Sequence, residues 1–142
     1  MNIVIIGNGV AGITAATAAR QRDPDASITV VSGETPYYFS RTALMYAYMD
    51  VMNRRDLEPY ERSMYASQRI SLVTDWVVDL NAETRTLTLA NGATLPYDAL
   101  VLAVGSAPNM FAWPGADKIR DGLVHFVSMQ DLDACERLTP ST

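Results

Sequence analysis

Apolar residues recur along this chain in short β-branched runs separated by glycine and polar punctuation. Residues 2–6 (NIVII) form one such run, closed by Gly7, as expected of a strand buried on both faces. Residues 10–22 are alanine-rich and end in Arg20 and Arg22, which predicts a helix with its cations at the carboxyl end. Asp23, Pro24 and Asp25 stop it. Residues 27–31 (SITVV) predict a second buried strand. Strand, helix and strand follow within about thirty residues, the size of one βαβ unit, whose strands should be parallel and whose crossover should be right-handed.

The pattern then changes. Residues 32–40 (SGETPYYFS) read as a loop, and Ser40 is placed to cap a helix from about residue 41 to 50. A further helix is expected near residues 58–68, and extended chain over 70–80 around Trp76. Residues 85–97 alternate threonine with leucine on either side of Asn91-Gly92, a hairpin signal. Residues 98–104 (DALVLAV) predict another fully buried strand, ending at Gly105. Trp113-Pro114-Gly115 marks a turn, 123–127 a last short strand, 128–138 a helix capped by Ser128, and 139–142 the start of a linker. The fold class is therefore α/β: a Rossmann-like, three-layer parallel sheet with a β-meander or hairpin insertion.

Composition narrows the possible partners. The 142 residues suit one domain, with 49% apolar and 19% charged residues, and the formal net charge is −5. An acidic balance argues against nucleic acid as a partner. The single cysteine, Cys135, forms no internal disulfide or multi-cysteine metal site, and the single histidine, His125, excludes a histidine cluster. Cys135 is expected to be a small buried hydrophobe. The apolar amino terminus lacks a preceding cation and is broken by Gly7, Gly9 and Gly12, so it does not read as a signal peptide. No apolar stretch reaches the roughly 18 residues of a membrane span, and the expected location is cytoplasmic.

The chemistry centres on residues 7–12 (GNGVAG), set between the first strand and the first helix. Gly7 permits a tight turn, Gly9 lets a pyrophosphate approach the backbone, and Gly12 lets the helix pack closely on the strand. The amides of Val10, Ala11 and Gly12 then open the helix as an anion site. A GxGxxG spacing alone is weak; the strand–helix–strand context makes it a dinucleotide signal. An acidic residue is expected about twenty positions on for the ribose. Ser32 directly follows the second strand and Glu34 lies two residues further, so either is a candidate. The plainer reading of Glu34 is a solvated loop carboxylate.

The hairpin at 85–97, followed by DALVLAVGSAPN and then WPG, resembles the two-dinucleotide-binding-domain flavoprotein superfamily, the FAD-dependent pyridine nucleotide-disulfide oxidoreductases. Members place a small β-meander before a strand ending in A-T-G, often followed by S-x-P and a later P-G turn. Here the triplet is Ala103-Val104-Gly105, with valine in place of threonine, so any hydrogen bond of that hydroxyl is lost. The resemblance implies FAD as the dinucleotide, the Val77 backbone near its adenine, and residues 103–105 close to the cofactor.

Disulfide-reducing members carry a cysteine pair in the segment matching residues 40–50, which has none here. Residues 35–44 (TPYYFSRTAL) instead resemble the aromatic-x-R-x-x-L stretch of the ferredoxin, rubredoxin and nitrite reductase branch. That resemblance implies that Arg41 pairs with the FAD pyrophosphate, a geometry that guanidinium suits; a surface arginine opening a helix is the alternative. Tyr46 stands where some ferredoxin reductases have a lysine near the flavin. Tyr37, Tyr38, Tyr46 and Tyr48 either line the flavin or pack, packing being the simpler role. The resemblance implies electrons passing from NAD(P)H through FAD to an outside acceptor such as a small iron–sulfur protein, with no side chain here as acid, base or nucleophile. A quinone-linked flavoenzyme, a non-catalytic nucleotide-binding module and an NAD-only domain are the alternatives. Residues 1–142 are expected to be the amino-terminal part of the FAD-binding domain, without the NAD(P)-binding domain or the carboxyl-terminal part. Such a piece should bind FAD weakly and not turn over by itself. Oligomeric state is left open.

Overall fold

A computed structural model of the chain describes residues 1–109, 111, 113–119 and 122–139. In chain order the elements are β1 (Asn2–Ile6), α1 (Val10–Arg22), β2 (Ser27–Val31), α2 (Leu44–Tyr48), α3 (Ser63–Ser67), β3 (Ile70–Val73), β4 (Val77–Asn81), β5 (Thr86–Leu89), β6 (Thr94–Pro96), β7 (Ala99–Leu102) and α4 (Met129–Leu138). Short 3₁₀ turns span Arg41–Ala43, Arg54–Leu57 and Ala116–Lys118. The chain divides into two compact units, Met1–Phe39 with Glu58–Gly105, and Ser40–Leu57 with Ser106–Thr142.

The first unit holds both sheets. Strands β3-β2-β1-β7 form a parallel sheet and β4-β5-β6 an antiparallel one. Side chains alternate across a strand, and here the alternation sorts them into two cores. Ile3, Ile5, Ile28 and Val30 pack with Ile13 and Ala16 of α1 and with Tyr65 of α3. Val4 and Val31, on the opposite face, pack with Leu87 and Leu89 of the antiparallel sheet. Helices, parallel sheet and meander thus make the expected three layers, and β1 is apolar on both faces because both are covered.

Arg20 locks the far end of α1. Its guanidinium donates to the carbonyls of Gln68 at 2.8 Å, Arg69 at 2.9 Å and Pro24 at 2.8 Å. It therefore caps the end of α3 as well as complementing its own helix terminus. Tyr65 is buried, which pushes its hydroxyl pKa up, and the hydroxyl oxygen accepts the Tyr38 N–H at 3.2 Å.

The second unit is smaller. Among the described residues its buried apolar side chains are Leu44, Leu57 and Leu132. Arg54 bridges Asp133 at 2.6 Å and Glu136 at 2.7 Å, tying the 3₁₀ turn to α4.

β1, α1, β2 and the hairpin lie where the pattern places them, and five expectations change. Ser40 does not cap a helix: its hydroxyl pairs with Thr42 at 3.1 Å, and 41–50 is a 3₁₀ turn plus a five-residue helix ended by Asp50 at φ 57°. The helix expected over 58–68 shrinks to α3; Pro59 biases residue 58 toward extended backbone, and Arg69 at φ 51° closes the carboxyl end. β7 is half-buried, with Leu102 64% exposed, because it lies at one edge of the parallel sheet. Residues 123–127 form no strand, since the Val127 carbonyl accepts from Arg41 and its N–H donates to Asp131 at 2.9 Å. Cys135 is half-buried rather than buried. The linker expected over 139–142 lies, beyond residue 139, outside the described residues.

Helix α4 does begin at the predicted cap. The Ser128 hydroxyl accepts the Asp131 N–H at 3.0 Å while the Asp131 carboxylate accepts the Ser128 N–H at 2.8 Å, a reciprocal capping box. Burial pushes the Asp131 carboxyl up, but the N–H groups of Val127 and Ser128 and the Ser128 hydroxyl outweigh it and hold the group below its ordinary value of 3.8. A carboxyl with a depressed native pKa stabilises the fold above its unfolded value and loses that contribution as pH falls through the native one. Ser128→Ala should therefore cost about 1 kcal/mol in urea unfolding at neutral pH. Asp131→Asn should flatten the decline of α4 stability with acidification, read by circular dichroism below pH 4.

Candidate functional site at the glycine turn

In open α/β sheets the ligand crevice lies outside the carboxyl ends of the parallel strands. In this sheet β1 ends at the glycine turn, β2 at Ser32 and β7 at Ala103.

Gly7 has φ +103°, a conformation that L side chains rarely adopt, and its N–H donates to the Val31 carbonyl at 2.8 Å. A Cβ there would also lie 2.2 Å from the Ala103 carbonyl oxygen. At Gly12 a Cβ would lie 1.9 Å from the Gly7 carbonyl oxygen, so the first turn of α1 rests directly on the end of β1. Both glycines are thus required by contacts within the chain. Gly9 is different: its φ is −67°, which any residue can adopt, and a Cβ would meet nothing within 4 Å. The chain itself does not require a glycine at position 9.

Gly9 is the N-cap of α1. No side chain caps this helix, and its first turn carries no acidic residue. Val10 and Ala11 are exposed and Gly12 buried. The amides of the first turn have no intrahelical acceptor, so the helix keeps its partial positive charge at an open end.

The loop after β2 is tied to this turn by Asn8, whose amide group donates to the Thr35 carbonyl at 2.7 Å. Asn8 is 6% exposed, the one buried polar side chain among the described residues. The signal for Asn8 in the sequence is a short polar residue at a position where the turn must be tight. Ser32 and Glu34 sit on the same loop, both half-buried. The Ser32 N–H donates to Val73 and its carbonyl accepts from Asp75. Gly33 between them was overlooked: the Trp76 indole lies against it.

Val77 opens β4 and packs into the core shared with Val4 and Val31. The Ala103 N–H donates to Ile6, Val104 is 70% exposed, and Gly105 has φ +70°. The first unit therefore carries Gly7, Gly9, Val10, Ala11, Gly12, Ser32, Glu34, Val77, Ala103, Val104 and Gly105. Arg41 belongs to the second unit, where its guanidinium bonds the Val127 carbonyl. The tyrosines mostly pack: Tyr37 on Tyr65 with centroids 5.6 Å apart, Tyr38 on Tyr60 at 6.0 Å, and Tyr48 on Phe126 at 5.7 Å. Tyr46 is 51% exposed. Among the described residues there is no cluster of metal ligands, and no helix is long and apolar enough to cross a membrane.

Residues 1–140 match the family described as pyridine nucleotide-disulphide oxidoreductase. The chain belongs to that family. It is 32% identical, over 99% of its length and 34% of the relative's, to the ferredoxin reductase component of chlorobenzene dioxygenase from Cupriavidus sp. (strain PS12). It is also 32% identical, over 85% of its length and 27% of the relative's, to the type II NADH:quinone oxidoreductase NdhA of Mycobacterium tuberculosis. Among solved structures, NADH:rubredoxin oxidoreductase from Clostridium acetobutylicum superposes with a TM-score of 0.81 at 26% identity, covering 96% of this chain and 36% of that one. The chain spans about a third of the length of the relatives it matches.

The two kinds of glycine should separate under mutation. Gly12→Ala should destabilise the protein by about 1–3 kcal/mol through overpacking against the Gly7 carbonyl. Gly9→Ala should cost no more than about 1 kcal/mol, the difference in N-cap preference. Thermal or urea unfolding of the two variants checks the contrast.

Proposed function

We propose that this chain is the FAD-binding portion of an NAD(P)H-dependent flavoprotein reductase that delivers electrons to a small iron–sulfur protein. The observation that carries the reading is Gly9: an absent side chain, with no intramolecular reason, at the uncapped amino end of α1. A pyrophosphate fits that opening because it needs close backbone approach, free N–H donors and no competing acid.

The residues fit the cofactor in parts. The Gly9 opening and the amides of Val10, Ala11 and Gly12 take the pyrophosphate. Ser32 or Glu34, on the loop pinned by Asn8, takes ribose hydroxyls. Val77 offers backbone to the adenine, and residues 103–105 border the site from β7. A flavin held there would supply the hydride-accepting and electron-releasing chemistry. The chain's own residues bind and orient it, and none of them need transfer a proton. Arg41, paired with Val127, would have to exchange that carbonyl for phosphate to serve as a ligand.

The ferredoxin-reductase and rubredoxin-reductase similarities, and a segment 40–50 free of cysteine, support an external one-electron acceptor over a thiol relay. A quinone acceptor is the second reading, supported by the similarity to a type II NADH:quinone oxidoreductase.

A ligand that binds only the native state raises its stability by mass action. FAD and ADP should both raise the melting temperature, with NAD weaker. Gly9→Ala, which leaves the fold intact, should reduce the FAD shift by at least half. Equal FAD shifts in the wild type and Gly9→Ala would remove the pyrophosphate from this turn.

A further inference from the structure

We propose that Trp76 is the stacking platform for the adenine ring of the bound dinucleotide; this rests on the pyrophosphate reading of the glycine turn. Gly33 lies between the two ribose candidates. A Cβ on Gly33 would sit 2.2 Å from Cδ2, 2.3 Å from Cε2 and 2.6 Å from Cγ of Trp76. Near-equal distances to three ring carbons place that point over the face of the indole, not at its edge. One face of the ring therefore covers the Gly33 backbone, and Trp76 remains 61% exposed.

The platform is held from several sides. The Trp76 N–H donates to its neighbour Asp75 at 2.7 Å, and its carbonyl accepts the Ala90 N–H at 2.8 Å. The Asp75 N–H donates to the Ser32 carbonyl at 3.1 Å, and the Asp75 carboxylate accepts the Asn91 N–H at 3.3 Å. These bonds hold the backbone of residues 75 and 76 beside the segment that carries Ser32 and Glu34. A ring needed only to cover a glycine would not require an indole with most of its surface in water. A flat, rigid, half-open indole beside a ribose site matches a purine, because stacking on an aromatic face is favourable for any base.

Base–aromatic stacking corresponds to roughly tenfold or more in affinity. The test uses ADP and ribose 5-diphosphate, the same ligand without its base, with the full chain in a Trp113→Phe background that leaves Trp76 as the sole indole. ADP should bind at least about tenfold more tightly than ribose 5-diphosphate and should quench Trp76 fluorescence saturably. Trp76→Ala should narrow the gap about tenfold by weakening ADP alone, and Trp76→Phe should restore part of it. Should Trp76→Ala fail to fold, Trp76→Leu serves, since it covers Gly33 without a π-face. A gap of unchanged size in the Ala or Leu variant, or equal weakening of both ligands, overturns the stacking role. No binding of either ligand by the wild-type chain would instead overturn the pyrophosphate reading itself.

Discussion

The first turn of α1 rests on the Gly7 carbonyl with no room for a side chain between them. That backbone-to-backbone approach sets where the helix begins and how its axis leaves the sheet. A bulkier residue at position 12 would lift the helix end, and the amides of Val10, Ala11 and Gly12 would no longer converge above the end of β1. The second constraint meets the first at the same atoms. Gly7 lies so close to Ala103 that the turn is clamped between the helix and β7. The uncapped amino end of α1 is therefore held in place by packing within the chain.

Around this clamp, the loops at the carboxyl edge of the sheet are joined by single polar bonds rather than by apolar bulk. Asn8 reaches Thr35, Asp75 reaches Ser32, and Asn91 reaches Asp75. Each bond ties together residues far apart in sequence at the point where the strands end and the hydrophobic layers stop. A buried amide such as Asn8 must be paired, because leaving it without a partner costs about 1–3 kcal/mol. Its pairing specifies one loop position over many.

The cysteine-free segment 40–50 and the similarities to ferredoxin and rubredoxin reductases bear on the same question of where electrons go. A reductase that hands electrons to a separate acceptor needs a cofactor cradle and an access route, but no thiol relay. The first unit carries the glycine turn proposed to hold the cofactor. The second unit is held by Leu44, Leu57 and Leu132 and by the Arg54 bridges, with α4 capped by Ser128 and Asp131.

The sequence by itself determined the parts governed by local rules. β1, α1 and β2 follow from β-branched runs, alanine content and the Asp-Pro-Asp stop, the hairpin from Asn91-Gly92, and α4 from its capping serine. The glycine turn and the family were legible too, because their spacing encodes backbone geometry directly. Tertiary structure decided the rest. It left β7 at an edge and half-exposed, cut the helices predicted over 41–50 and 58–68 to five residues each, and used both polar groups of Val127 outside any ladder. It also distinguished Gly9 from Gly7 and Gly12, and set Trp76 on Gly33 and Asn8 on Thr35. Among these outcomes, the seating of Asn8 on Thr35, of Trp76 on Gly33 and of Arg41 on Val127 depends on which surfaces meet across 27 to 86 positions of chain. Local periodicity carries no record of such meetings, and only the closed packing of the three layers brings them about.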